Sequence, residues 1–316
     1  MTHQTRRTFL SNTVKAGGAL ALAQTAGISA SAEDTPANMS IAKWAADPVA
    51  DADAAAFKSM AVKLTEQAMN AVGGMKRFVK KGDVVWVKPN IAWDRPPELA
   101  ANTNPDVVAT LVKMCLDAGA KTVKVGDRPC SPAQKSYSNS GIEAAAKEAG
   151  GEVVYLDENR FREMDLKGEY LSEWEIYPEI IETDLVINCP IAKHHGLTQA
   201  TLCMKNYMGV VGGRRNAWHQ ALPACLTDIT RFMKPRLSVL DAIRILTANG
   251  PQSSKIEDVA RQDTIAVSTD VLALEAFGVE MLGNKPEARQ IVEKAAAADL
   301  GNPDYKSLNP KEIAVS

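Results

Sequence analysis

Residues 193–219 contain the densest group of chemically active side chains in this sequence. Three of the four histidines of the chain fall here, with two lysines and a glycine-rich turn that two arginines follow. Glycines let the backbone approach a ligand and present its N–H groups, while lysine and arginine add positive charge. The combination is typical of a phosphate or carboxylate site. The turn matches neither the Walker loop nor the G-x-G-x-x-G dinucleotide pattern, so a surface loop is the alternative interpretation. The candidate residues of this segment are Lys193, His194, His195, Lys205, Asn206, Gly209, Gly212, Gly213, Arg214, Arg215 and His219.

His195 and His219 are also candidate metal ligands. Together with Asp127 they offer the nitrogen and oxygen donors that transition metals prefer, and Cys203 is a nearby sulfur donor. Because His194 and His195 are adjacent rather than four residues apart, their spacing does not define a site, and separate loops would have to assemble one. The alternative is that each histidine is a hydrogen-bonded structural residue.

Lysine supplies a third possible chemistry. A lysine that is desolvated near another cation has a lowered pKa and acts as a base or nucleophile. Lys193 and Lys205, together with His195, are therefore the predicted catalytic group. Lys88, Lys193 and Lys205 clustered around an anion would show the opposite pKa shift, and the sequence leaves both possibilities open.

The elements that must position these groups alternate between strand and helix. Apolar runs predict strands at 83–87, 122–125, 153–156, 185–187, 237–240 and 264–267. Three- and four-residue spacing, with Gly and Pro at the ends, predicts helices at 54–72, 106–118, 142–149, 222–232 and 271–282. Residues 158–178 are charged and aromatic and are interpreted as a hairpin or an insertion. The expected fold class is α/β, a mostly parallel sheet with helices on both faces.

In such sheets, ligands bind beyond the carboxyl ends of the strands. Four predicted strand ends are followed by polar groups, which favours a real site at this edge. These groups are Lys88 and Asn90, then Asp127, then Lys193 to His195, and finally Asp241. We predict that a cofactor contacts Lys88, Asn90, Asn206, Gly212 and Gly213, and that a metal contacts Asp127, His195 and His219.

Composition excludes several classes of protein. The formal net charge is −2 and aromatic residues make up only 5% of the chain, so a nucleic-acid partner is not expected. The five cysteines contain no C-x-x-C pair, which argues against ferredoxin, zinc-ribbon and thioredoxin sites. Their odd, low number argues against a disulfide scaffold, although one disulfide stays open.

The first 32 residues have the pattern of a twin-arginine (Tat) signal peptide. Arg6-Arg7 precede an apolar run at 14–28, and Ala30-Ser31-Ala32 follows as a cleavage site. The run is too short for a spanning helix, which needs roughly 20 residues. We therefore expect cleavage after Ala32, a single α/β domain over 33–316, the Tat translocase as a partner during export, a periplasmic or extracellular location and no permanent membrane anchor. A disordered, alanine-rich N-terminus is the alternative.

Several runs of residues resemble the domain of unknown function 362 family across nearly the whole predicted domain. Val87-Lys88-Pro89-Asn90 and Thr103-Asn104-Pro105 carry this resemblance, as do Lys205-Asn206 and Gly209. The strongest match is Asn188-Cys189-Pro190-Ile191-Ala192-Lys193-His194-His195-Gly196-Leu197-Thr198. The resemblance implies functional roles for Lys193, His195, Lys205, Asn206 and His219, whereas His194 stands where a threonine is more usual. Many relatives carry an appended ferredoxin-like segment that this chain lacks, so an iron–sulfur cluster is less expected than a single transition metal.

Two functions, of different classes, follow as hypotheses. The first is an exported cofactor- or metal-binding protein with redox or related enzymatic activity on a small anionic substrate, including acid–base chemistry by His and Lys. The second is a non-catalytic periplasmic protein that binds a small anion or acts as an accessory factor. A structural subunit of a larger exported complex is a third reading.

Overall fold

The structure is a computed structural model that describes residues 36–316. The predicted signal peptide, residues 1–32, lies outside them. The helices are α1 (Ala54–Ala71), α2 (Pro105–Ala118), α3 (Ala133–Asn139), α4 (Ile142–Glu148), α5 (Pro178–Ile181), α6 (Cys203–Asn206), α7 (Leu222–Met233), α8 (Val271–Met281) and α9 (Pro286–Ala297). The strands are β1 (Met39–Trp44), β2 (Val84–Pro89), β3 (Thr122–Val125), β4 (Glu152–Val153), β5 (Arg162–Asp165), β6 (Glu173–Ile176), β7 (Leu185–Cys189), β8 (Ile191–Lys193), β9 (Leu237–Leu246), β10 (Val259–Ser268) and β11 (Lys311–Val315).

Within residues 36–316, one large sheet of nine strands organises the chain. Its order is β11-β1-β10-β9-β7-β2-β3-β4, and β8 pairs with β9 beside this path. Strand β10 runs antiparallel to both of its neighbours, β9 and β1, while the other pairs are parallel. The predicted α/β class with a mostly parallel sheet is therefore confirmed.

Both faces of the sheet are covered by helices. Consecutive strand residues point to opposite faces, so Val239 packs into one core and Leu240 into the other. Helices α1, α2 and α4 contribute to the core that contains Val239. Helices α6 to α9 contribute to the core that contains Leu240. Burial on both sides explains why the strands appear in the sequence as continuous apolar runs.

Local signals mark helix α2 clearly. The Asn104 side chain accepts a hydrogen bond from the Asp106 N–H, Pro105 occupies the first turn, and Gly119 ends the helix at φ 107°. A left-handed φ at this position suits glycine because no Cβ clashes there. The same asparagine fixes one wall of the site, since its backbone N–H donates to Asp241 Oδ2 at 2.8 Å.

Some predicted elements differ from the observed ones. The strand expected at 153–156 is only Glu152–Val153, at the edge of the sheet. Strands β9 and β10 are ten residues each, longer than predicted, because their antiparallel pairing extends along both strands, from Ser238 opposite Ser268 to Leu246 opposite Val259. Residues 158–178 contain the expected hairpin, β5 with β6, as a separate two-stranded sheet. Among residues 36–316, no helix has the length and apolar character that crossing a bilayer requires.

Candidate functional site

A cavity of about 490 Å³ opens at the carboxyl edge of the sheet. It lies where the chain leaves β2, β3 and β8, and part of its wall comes from the segment after α6. Its polar lining residues are Lys88, Asn90, Asp127, Arg128, Cys130, Lys193, His195, Thr201, Lys205, Asn206, Arg215, Asn216 and His219. The loops that the sequence places at this edge thus meet in one cavity, with the exception of Asp241.

Asp241 supports the cavity from below. It is buried and accepts the backbone N–H groups of Asn104 and Ile243. Burial raises the pKa of its carboxyl group to about 6. Its hydrogen bond to Asn104 holds the loop after β2, from which Asn90 enters the cavity.

Lys88 and Asp127 form a buried ion pair in the floor. Lys88 Nζ lies 2.8 Å from Asp127 Oδ1 and also donates to Asn206 Oδ1 at 2.9 Å and Pro89 O at 3.0 Å. Two of the three N–H donors of this ammonium group have hydrogen-bond acceptors, and its charge is paired with the Asp127 carboxylate. Burial lowers the pKa of Lys88, and the charge of Asp127 opposes that shift. The other carboxylate oxygen of Asp127 accepts the Ile91 N–H at 2.7 Å.

Two asparagines join this pair to Lys193. Asn206 Oδ1 accepts from Asn90 Nδ2 at 3.1 Å, and Asn206 Nδ2 donates to Asn188 Oδ1 at 2.9 Å. Asn90 Oδ1 in turn accepts from Lys193 Nζ at 2.9 Å, and the same ammonium donates to Ala101 O. A cofactor was expected to contact Lys88, Asn90 and Asn206. Most of the polar atoms of these side chains instead form hydrogen bonds with one another. We call Lys88, Asn90, Asp127 and Asn206 the floor network.

Gly209 closes over this network. A Cβ there would overlap Asp127 Oδ1 and lie 2.6 Å from Lys88 Nζ. Glycine is required because the backbone passes directly above the ion pair. The two later glycines have a different role, since Gly212 and Gly213 pack beside Glu175 of the hairpin and do not line the cavity.

Lys205 differs from Lys88 in its surroundings. Helix α6 carries it into the wall, and the Met204 N–H anchors that helix by donating to the buried Glu275 at 2.9 Å. Lys205 is only 9% exposed, yet in the part of the chain that the structure describes the single polar contact of its Nζ is the Met208 sulfur at 3.6 Å. Burial lowers the pKa of Lys205 to about 8. Within residues 36–316 it forms no ion pair.

Arg215 and Lys193 add positive charge to the same wall. The Arg215 guanidinium donates to the carbonyl oxygens of Arg128, Met208 and Pro129 at 2.8 to 2.9 Å. Carbonyl oxygens fix its position without cancelling its charge. Burial lowers the pKa of Lys193 to about 7. By contrast, Arg128 is neutralised by Glu158, which it contacts at 2.7 and 2.8 Å.

The two histidines of the wall stack on each other with complementary edges. Their ring centroids are 5.5 Å apart with an angle of 15° between planes. His195 Nδ1 accepts the N–H groups of Leu197 and Thr198 at 3.2 and 3.3 Å, so the proton of the neutral ring is on Nε2. His219 Nδ1 lies 3.1 Å from the Asn216 carbonyl oxygen, which requires a proton on Nδ1 and leaves Nε2 as an acceptor.

Burial and the neighbouring cations keep both rings neutral. Burial is the main cause that lowers the pKa of His195 to about 3, with Lys205 and His219 adding to it. The pKa of His219 is lowered by burial and by Lys205. The pair thus presents one N–H donor, on His195, and one acceptor, on His219.

The expected metal ligands all line the cavity but do not form a ligand group. Among residues 36–316, no cluster of three or more His, Cys, Asp or Glu side chains is placed to hold a metal ion. Asp127 is committed to Lys88. A metal on His195 Nε2 would need the proton on Nδ1, where two backbone N–H groups already point.

The three residues predicted to be catalytic all line this cavity. They are Lys193, His195 and Lys205. His194 is outside it, and its Nδ1 accepts the Gly250 N–H at 3.0 Å. Arg128 and Cys130 were not among the predicted site residues, whereas Arg215 was predicted as part of the glycine-rich segment. Asp127 was predicted because ligands bind beyond the carboxyl ends of strands, and it follows β3. The same rule applies to Arg128 and Cys130, which lie one and three residues further along the chain.

Fold and site together define an α/β protein with a cation-rich cavity at the carboxyl edge of its sheet. The model of the family described as domain of unknown function (DUF362) matches residues 85–280, which include every residue that lines the cavity. The chain belongs to this family, as its motifs indicated. It is also similar to a thylakoid-associated protein of Synechocystis sp., with 28% identity over 262 residues, 78% of this chain and 79% of the relative.

Proposed function

We propose that this protein binds a small anion, of phosphate or carboxylate type, in the cavity of the sheet edge. The observation that carries the proposal is Lys205, an ammonium group that is buried but has no oxygen acceptor within the described residues 36–316. Burying a charge without a partner is costly, and proteins normally pair such groups. An anionic ligand would supply the missing acceptors.

The charges around Lys205 favour the same ligand. Lys88 and Arg128 are neutralised by Asp127 and Glu158. Lys193, Lys205 and Arg215 have no carboxylate partner among residues 36–316. The cavity therefore holds up to three uncompensated positive charges. Such a cleft attracts anions and raises their local concentration.

The histidine pair suits an oxyanion that also carries a hydroxyl group. His195 Nε2–H is a donor for a phosphate or carboxylate oxygen, and His219 Nε2 is an acceptor for a hydroxyl. A hydrogen phosphate ion or a hydroxy acid offers both groups. The binding role thus uses the tautomers that the backbone already fixes.

Calorimetric titration of the full-length protein with sodium phosphate and sodium sulfate tests the proposal. Lys205→Met keeps the length of the side chain and removes its charge. Lys121→Met is the matched control, because Lys121 is exposed at the opposite end of β3. We expect Lys205→Met to weaken binding by about tenfold or more, the effect of losing one charged hydrogen bond, and Lys121→Met to bind like wild type. Equal affinities for wild type and Lys205→Met would overturn the proposal.

Metal-dependent, redox-active function is a second proposal, and it rests on the sequence and on His219 Nε2, a free acceptor in the cavity wall. Elemental analysis of protein purified without chelators tests it. A near-stoichiometric transition metal that His219→Ala removes would support it. Metal-free, folded wild-type protein would count against it.

We also propose that the chain is exported by the Tat route. The support is the pattern of residues 1–32, and the description of the Synechocystis relative as thylakoid-associated agrees with a location at or beyond a membrane. Cell fractionation should find wild type outside the cytoplasm and the Arg6→Lys/Arg7→Lys variant inside it. Equal distribution of both would contradict Tat export.

A further inference from the structure

The five cysteines of the chain fall into two groups. Cys115, Cys189, Cys203 and Cys225 are buried in the cores, while Cys130 is exposed and lines the cavity. Burial raises the pKa of Cys115 to about 12 and that of Cys225 to about 11, and raises the pKa of the other two buried thiols as well. Thiols of this kind are inert because the thiolate is the reactive form. Cys130 is the one cysteine that a dissolved reagent reaches.

The position of Cys130 is fixed from two sides. Its backbone N–H donates to Ala92 O at 2.8 Å. Arg215 Nη2 donates to its sulfur at 3.3 Å, and carbonyl oxygens hold the rest of that guanidinium. The sulfur is therefore held in the cavity wall, next to a cation that has no carboxylate partner in the described part of the chain.

Lys205 supplies an independent sign that a ligand enters here. It is more than nine-tenths buried and lines the same cavity, and its ammonium has no oxygen acceptor among residues 36–316. A negative charge on Cys130 would raise the pKa of Lys205 and of Lys193. The three side chains are therefore close enough to interact electrostatically. An anion held by Lys205 and Arg215 would lie beside the thiol.

We propose that Cys130 is a covalent modification site, which the cavity makes selective for small electrophiles that carry an anionic group. The inference rests on the proposed anion binding. In the reaction, the sulfur forms a bond to the electrophilic carbon, the leaving group departs with its bonding electrons, and the thiol proton goes to solvent. The cations bind the anionic group of the reagent and take no part in bond making.

Iodoacetate and iodoacetamide form a matched pair of probes. Both alkylate thiols with loss of iodide and have nearly the same size, but only iodoacetate is charged. The ratio of their rates at Cys130 in the full-length native protein is compared with the ratio for the urea-unfolded chain, by peptide mass spectrometry. We expect the native ratio to favour iodoacetate by about tenfold or more relative to the unfolded chain, the lower end of the gain that charged clefts give.

Variants locate the origin of the preference. Lys205→Met should reduce the native ratio toward that of the unfolded chain, and Lys121→Met should leave it unchanged. High salt should reduce it by screening. Cys130→Ser should abolish labelling of the native protein, because the other thiols are buried. If the native ratio equals the unfolded ratio, or if Lys205→Met keeps the full preference, the proposal is overturned.

Sulfate separates this inference from anion binding itself. If sulfate binds by calorimetry and protects Cys130 from iodoacetate, both proposals are supported. Should sulfate bind with full affinity to protein carboxymethylated at Cys130, the anion site exists but Cys130 is not part of it. If neither sulfate nor phosphate binds and iodoacetate shows no preference, the proposed function fails as well.

Discussion

Lys88 and Lys205 are two buried lysines of one cavity, and their environments are opposite. Lys88 is completely buried, donates to two oxygen acceptors and is paired with the carboxylate of Asp127. Lys205 is nearly as buried, and among the residues that the structure describes its ammonium has a thioether sulfur as its only polar contact. The first side chain is satisfied by the protein, and the second is not. Residue type and burial therefore do not distinguish the two lysines, whereas the number of oxygen acceptors does.

The polar cavity has two regions, which differ in whether the protein itself satisfies their charged groups. The floor network is a closed set of hydrogen bonds, in which Asn206 alone joins Lys88, Asn90 and Asn188. The wall retains positive charge and unused hydrogen-bonding groups. It comprises Lys193, His195, Lys205, Arg215 and His219. Changes in the floor should affect stability, and changes in the wall should affect ligand binding.

The largest expected effect is on stability, from Lys88→Met. This change leaves the carboxylate of Asp127, which is 2% exposed, without its counter-ion. Breaking a buried ion pair from one side costs about 3–5 kcal/mol. Urea denaturation should show this loss in the free energy of unfolding, and the double variant Lys88→Met/Asp127→Asn should recover part of it. If Lys88→Met is no less stable than Lys205→Met, the division into floor and wall is wrong.

A smaller loss of stability is expected from Gly209→Ala, because its new methyl group would overlap Asp127. Overpacking of this kind costs about 1–3 kcal/mol. Gly196→Ala is the control, since a Cβ there meets only the Gly250 carbonyl oxygen at 3.5 Å, an ordinary contact. Thermal melting of both variants compares the two positions. Equal melting temperatures would show that the backbone moves away from the ion pair at little cost.

Anion binding at the wall should depend on pH, because Lys205 must be protonated to bind an anion. The pKa of Lys205 is about 8 in the ligand-free protein, against an ordinary 10.5, and an anion binds the protonated form. Sulfate affinity should therefore decrease above about pH 8, by up to about tenfold per pH unit for one linked proton. Lys205→Met should retain only the dependence due to Lys193, whose pKa is about 7.

The same shift predicts the opposite trend for stability without ligand. Between about pH 8 and pH 10.5 the unfolded chain binds more protons at Lys205 than the folded chain does. The free energy of unfolding of wild type should then rise with pH relative to Lys205→Met. Urea denaturation across this range, with a parallel series for sulfate binding, checks both signs.

The smallest expected change is at His195. With a pKa of about 3, its ring should stay neutral, with the proton on Nε2, from about pH 5 to pH 8, where histidine ordinarily titrates. Nitrogen-15 NMR of the imidazole reports both the tautomer and the titration. The spectrum should place the proton of His219 on Nδ1 instead. A titration of His195 near pH 6.5 would contradict the assignment of its Nε2–H as a donor beside the Nε2 acceptor of His219.

Much of the fold follows from local sequence. Strand β3 lies where the apolar run predicts it, and α1, α2 and α8 match within one residue at each end. Helix α2 is well defined because its cap, its first-turn proline and its terminal glycine act within a few residues of one another. The terminal strands β1 and β11 and helices α3 and α9 were not predicted. Strand β1 is extended because it pairs with β10 and β11, partners that lie far from it in sequence.

Residue order alone predicts the α/β class, and it places Lys88, Asp127, Lys193 and His195 at or just after strand ends that share one edge of the sheet. Which of these side chains have acceptors within the protein depends on the packing of the folded chain. Lys88 meets Asn206 across 118 residues, and Lys193 meets Asn90 across 103. Such contacts depend on side-chain geometry between separate loops, which no local pattern encodes. For the same reason, Gly209 rather than Gly212 or Gly213 contacts the site, and Lys205 rather than Lys88 keeps a free charge.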